Sequence, residues 1–241
     1  KKRPLLIRGH RDDVTVDTVG VTAVGGKRPM RRDSIFRIAS MTKAVTAAAV
    51  MMLVEEGKLR LDAPAEHWLP ELANRRVLRR LDGPLTDTVP ARRPITVEDL
   101  LTFTMGFGMQ FDDSLPIQRA IEKNQLVNGP PVPMTPLDPD EWMRRFGTLP
   151  LMHQPGEGWM YNTRSLIQGV LIRRAANQPL NAITRERVTG PPCMRDTGFF
   201  FPADNSDRQS VCGRPTNPAT ENRNPRAPAG GDETPHTPPT S

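Results

Sequence analysis

Apolar and polar positions alternate through Asp12-Asp13-Val14-Thr15-Val16-Asp17-Thr18-Val19-Gly20-Val21-Thr22-Ala23-Val24. That period of two predicts β structure, with Gly20 as a bend between two strands. The pattern then changes. From Ser40 to Glu56, alanine, valine, methionine and leucine fill eleven of seventeen positions, followed by Gly57. This predicts a buried helix with a glycine stop. Thr96 precedes Val97-Glu98-Asp99-Leu100-Leu101, which predicts a short helix with a threonine cap and acidic first turn. Asp140–Phe146 predicts another. Leu166, Ile167, Val170 and Leu171 recur at helical spacing, predicting a helix over 162–176. The proline-rich stretch 128–140 excludes long regular structure. Residues 203–241 hold no Leu, Ile, Met, Phe, Trp or Tyr and a single Val. Such a segment cannot bury enough apolar area to offset its ordering entropy, so disorder is expected over 202–241.

Composition narrows the classes. The 241 residues carry a net charge of +6, drawn almost wholly from 27 arginines against six lysines. The arginines are scattered apart from Arg75-Arg76-Val77-Leu78-Arg79-Arg80, which predicts a solvated helix face. Without an aromatic-basic stripe, no nucleic-acid partner is expected. Two cysteines and four histidines show no metal-ligand spacing, so neither metal nor cofactor is expected. The longest apolar run, Ala44–Val54, is far shorter than the ~20 residues a membrane helix needs. With no leader-like segment at the start, the reading favours a cytoplasmic protein.

Chemistry is concentrated at Ser40-Met41-Thr42-Lys43. Serine and lysine three apart on a helix share one face. A serine hydroxyl needs a neighbouring base to become a nucleophile. A lysine in a dry apolar setting can be that base, because desolvation disfavours its charged form. The bland alternatives are a serine that only caps its helix and a lysine that snorkels from an apolar face. His153 belongs to no Gly-x-Ser-x-Gly elbow, and Asp112-Asp113 cannot share a helical face.

Beyond the Ser40/Lys43 pair, an ordered set of segments resembles the serine β-lactamase and penicillin-binding-protein superfamily, more narrowly its class C-type hydrolases and family VIII esterases. The set is Phe36-Arg37-Ile38-Ala39, Glu55-Glu56-Gly57-Lys58-Leu59-Arg60-Leu61-Asp62, Thr96 to Gly106 with Phe103 where histidine is usual, Pro155-Gly156-Glu157-Gly158-Trp159-Met160-Tyr161-Asn162-Thr163, and Met194-Arg195-Asp196-Thr197-Gly198-Phe199.

The resemblance implies an α+β fold over 1–201, largely helical, with a remnant of an antiparallel sheet. It implies Ser40 as acyl acceptor, Lys43 and Tyr161 as proton carriers, and Asn162 and Thr163 as substrate contacts. It also implies a small ester, amide or β-lactam carbonyl as partner. The oligomeric state stays open. The family's third motif is absent; Val188-Thr189-Gly190 mimics it without the basic residue. That gap leads to the expectation of a truncated chain, and to catalytic impairment as the alternative function.

Overall fold

The computed structural model describes residues 5–10, 13–23, 25–126, 137–199 and 208–210. The expected proline-rich irregular stretch lies mostly outside them, as does the expected disordered tail apart from 208–210. Two compact units are present, one of residues 1–37 with 199–241 and one of residues 38–198.

In the first unit, β1 (Leu5–His10) pairs antiparallel with β2 (Asp13–Thr18), Leu5 opposite Thr18 and His10 opposite Asp13. Only one of the two strands expected in 12–24 is therefore there. Its partner comes from Leu5-Leu6-Ile7, an apolar run too short to show a period by itself. Gly20, at φ 94°, still turns the chain, and Val21 bridges Pro29. Ile35 forms a parallel bridge to Gln209, with backbone bonds of 2.8 Å on either side.

The second unit is mostly helical. A 3₁₀ turn (Ala39–Met41) runs into α1 (Thr42–Glu55), which buries Thr46, Ala49, Val50 and Leu53 along one stripe. Gly57 takes φ 71°. It donates to the Val54 carbonyl while Lys58 donates to that of Leu53, each at 2.9 Å. This is the paired closure that glycine makes possible at a helix end. Strands β3 (Arg76–Leu78) and β4 (Thr88–Pro90) form a second small antiparallel pair. There follow α2 (Val97–Thr102), α3 (Pro116–Lys123), α4 (Pro139–Gly147), α5 (Arg164–Ala176), α6 (Leu180–Ile183) and a π-helix (Thr184–Thr189). Helix α5 lies centrally, packed against α1, α2 and α4. Leu53, Leu100, Met143, Phe146, Ile167 and Leu171 are among the core side chains.

The arginine group corrects the sequence reading. It is not a helix face: β3 buries Val77 and Leu78, and Leu78 and Arg76 exchange backbone bonds with Leu151. Arg75 is 6% exposed, donates to the carbonyls of Gly147 and Leu149, and is pushed down to about 10 by burial. Arg76 bonds Thr88, Arg79 pairs with Asp87 at 3.2 Å, and Arg80 with Asp82 at 2.7 Å. No helix among the described residues is long and apolar enough to cross a membrane.

Candidate active site

Ala39 adopts φ 43°, a left-handed conformation uncommon for a residue with a Cβ. The chain then tightens into the 3₁₀ turn and leaves Ser40 exposed at the head of α1. No side chain caps α1, so the Ser40 hydroxyl is not spent on the cap a serine there predicts. Its bond is instead with Lys43, whose Nζ donates to Oγ at 3.2 Å. The two fall on one face, as their spacing predicts. The dry setting expected for the lysine is not found: Lys43 is half-buried beside an exposed serine. What surrounds it is polar and aromatic, with Nζ 4.9 Å from the centre of the Tyr161 ring.

Tyr161 is held by two loops laid against each other. Met160 N–H donates to the Phe103 carbonyl and Met109 N–H to that of Tyr161, both at 2.8 Å. The approach is close enough that a Cβ on Gly108 would lie 2.6 Å from the Met160 Cβ, and one on Gly106 (φ 88°) 2.2 Å from the His153 oxygen. Only glycine fits there. Asp99 anchors the same loops from below. Its buried carboxylate accepts from Arg93 (2.5 and 2.8 Å), from the Thr96 N–H and hydroxyl (2.9 and 3.0 Å) and from the Thr104 hydroxyl (3.1 Å). Thr96 returns the bond by capping the Asp99 N–H, completing the expected cap as a capping box. Burial is the largest influence on Asp99 and opposes ionisation, but the bonds from Arg93 and Thr96 together outweigh it, leaving its pKa lowered.

The Tyr161 phenol is also lowered from its ordinary value. Its hydrogen bond with Ser40 is the main cause; partial burial opposes it, and the charge and hydrogen bond of Lys43 add to the lowering. Ser40, Lys43 and Tyr161 thus form one connected polar group.

Asn162 and Thr163 do not join it in the same way. Asn162 is half-buried at φ 84° and turns the chain into α5. After that turn Thr163 is 3% exposed, and its Oγ1 has no hydrogen-bond partner. Val188-Thr189-Gly190, which mimics the absent third motif in sequence, sits at the end of the π-helix, with Thr189 buried. Asp112 accepts from Ser114 in a loop, and no cluster that could hold a metal occurs among the described residues.

Sequence reasoning missed two aromatic neighbours. Phe103, the left-handed residue ending α2, stacks on Tyr161 at 5.7 Å, and Trp159 contacts both rings. The available signal was Phe103 itself, an apolar residue where the resemblance has histidine.

One helical unit thus carries Ser-x-x-Lys at a helix head, with a tyrosine delivered by a separate loop. The β-lactamase family model matches residues 6–237, and the chain belongs to that family. Among curated relatives, a Mycobacterium tuberculosis protein is 44% identical over 81% of this chain and 47% of its own length. Esterase EstB of Burkholderia gladioli is 37% identical over 71% of this chain and 40% of its own length. The chain thus spans about half the length of the curated relatives it matches. Among solved structures, EstCE1, a hydrolase with promiscuous acyltransferase activity, superposes with a TM-score of 0.70 at 24% identity, over 86% of this chain and 50% of that one. The β-lactamase/D-alanine carboxypeptidase of Yersinia pestis gives 0.63 at 22% identity, over 86% of this chain and 52% of that one. These likenesses carry the fold: a largely helical β-lactamase-type region with small antiparallel sheets.

Proposed function

We propose that this chain forms an acyl-enzyme on Ser40 with a small ester, amide or β-lactam. The observation that carries the reading is the Lys43 Nζ to Ser40 Oγ bond of 3.2 Å, with the lowered Tyr161 phenol in the same network. Tyr161, as phenolate, takes the Ser40 proton while Lys43 balances its charge. Ser40 Oγ bonds to the substrate carbonyl carbon, whose π electrons move to oxygen. The Ser40 N–H at the helix head stabilises that oxyanion. The tetrahedral species collapses, the bond to the leaving group breaks, and Tyr161 returns the proton to it. Water, or an alcohol in an acyltransfer, then attacks the ester on Ser40 and regenerates the hydroxyl.

A specific observation favours slow turnover as a companion reading. Val188–Gly190 lies at the end of the π-helix, so this stretch offers no strand edge in place of the third motif. Loss of one oxyanion donor costs about 10²–10³ in rate. Reaction with p-nitrophenyl acetate tests both readings. The expected result is release of one equivalent of nitrophenolate followed by a slow steady phase, with the burst gone in Ser40→Ala. A folded wild-type sample with no burst would overturn the acyl-enzyme reading.

A further inference from the structure

Arg164 is a buried cation without a counter-charge. It is 4% exposed at the first position of α5, and no carboxylate pairs with it among the described residues. Burial pushes it down to about 10. Its guanidinium donates to the Leu100 carbonyl, and its Nε has no hydrogen-bond partner. The same carbonyl accepts from the Gln168 amide at 2.6 Å, so Leu100 would keep a donor without the arginine. Burying an unpaired charge is costly, and an apolar side chain of similar length would fill the space at less cost. The packing of α5 therefore does not account for an arginine here.

What the guanidinium touches does. Its carbon lies 3.0 Å from the centre of the Phe103 ring. Phe103 sits at φ 67°, a conformation that a bulky residue keeps only where its surroundings hold it. Phe103 in turn meets the tyrosine loop twice. Its carbonyl accepts the Met160 N–H at 2.8 Å, and its ring stacks on Tyr161 at 5.7 Å and 11°. Lys43 reaches the Tyr161 ring from α1, 4.9 Å from its centre. Arg164, Phe103, Tyr161 and Lys43 thus follow one another in contact, with a cation at each end. The circuit is short, because Arg164 stands three residues after Tyr161 and left-handed Asn162 turns the chain between them. A ring gripped in this way has little freedom to slide, and the Tyr161 hydroxyl must stay in reach of Ser40.

We infer that Arg164 is a positioning residue for acyl transfer: by clamping Phe103 it fixes the ring of Tyr161 against Ser40 and Lys43. This rests on the acyl-enzyme reading. Arg164 acts through Phe103 and takes no proton itself.

The test follows Ser40 acylation by p-nitrophenyl acetate across pH, by burst kinetics and intact mass. Wild type, Arg164→Met and Arg164→Lys are compared, and Arg164→Met is repeated in a Tyr161→Phe background. Arg164→Met is expected to fold, since it removes an unpaired buried charge. Its acylation rate should fall about 10- to 100-fold, and the rising limb of its pH profile should move up toward the ordinary phenol value of about 10. Arg164→Lys, which keeps a cation but loses the flat face, should recover part of the rate. In the Tyr161→Phe background the same Arg164→Met change should cost less than about twofold, because the ring it positions no longer carries a proton. A wild-type rate and pH limb in Arg164→Met overturns the inference. So does a tenfold fall that persists in the Tyr161→Phe background, or a failure of Arg164→Met to fold, since either makes the arginine a structural support only. Failure of wild type to label overturns the acyl-enzyme reading and the inference with it.

Discussion

Replacing Asp99 with asparagine tests how the loops that carry Tyr161 are held. The Asp99 carboxylate takes two bonds from Arg93, two from Thr96 and one from Thr104. An amide keeps one acceptor and turns the other into a donor facing donors. Bonds to a charged group contribute about 1.5–3 kcal/mol each when buried. The Arg93 side chain is 42% exposed against 5% for Asp99, so its share falls toward the about 1 kcal/mol of a surface pair. The capping box adds about 1 kcal/mol and the Thr104 bond about 1 more. The expected loss is about 3 kcal/mol at pH 7. For a urea slope of about 2 kcal/mol/M, the midpoint falls by about 1.5 M.

The sign with pH follows from the lowered Asp99 pKa. A carboxylate lowered by folding contributes stability above its unfolded value of about 3.9, and loses it as pH falls through the folded value. The gap between wild type and Asp99→Asn therefore narrows in urea titrations run below about pH 4. A gap under about 0.5 kcal/mol at pH 7, or one equally wide at pH 3, would refute the reasoning, since neither fits an ionised carboxylate as the anchor.

Acylation of Ser40 should rise with pH through the lowered Tyr161 value, and Tyr161→Phe should remove that limb of the profile while leaving the fold intact by circular dichroism; an unchanged profile would remove the phenolate from the mechanism. Gly106→Ala forces a Cβ to 2.2 Å from the His153 oxygen at φ 88°, so thermal unfolding should show a loss of at least about 2 kcal/mol, and a wild-type midpoint would mean the two loops are not closely packed.

Where local chemistry decides structure, the sequence was readable. Gly57 stops α1, Thr96 and Asp99 cap α2, and the apolar spacing of Ile167, Val170 and Leu171 marks α5. The Ser40, Lys43 and Tyr161 group was equally legible, because two members are one helical turn apart and the third stands in a distinctive turn. What escaped depends on distant partners. Strand β3 is only three residues long and takes its identity from β4 and Leu151, so its arginines resembled a solvated helix. Arg75 is buried because carbonyls at the end of α4 and just after it, those of Gly147 and Leu149, receive it. Left-handed Asn162 turns the chain and leaves Thr163 enclosed at the head of α5, a burial the motif alone does not foretell. The stacking among Phe103, Trp159 and Tyr161 brings together two loops more than fifty residues apart, which no local period records.

The most direct measurement is the intact mass of the folded chain after brief exposure to p-nitrophenyl acetate, followed by peptide mapping. The account requires one added acetyl group, located on Ser40, absent in Ser40→Ala and slowed in Lys43→Met. An unmodified mass in a folded sample, or acetyl found on a lysine and retained in Ser40→Ala, would contradict it.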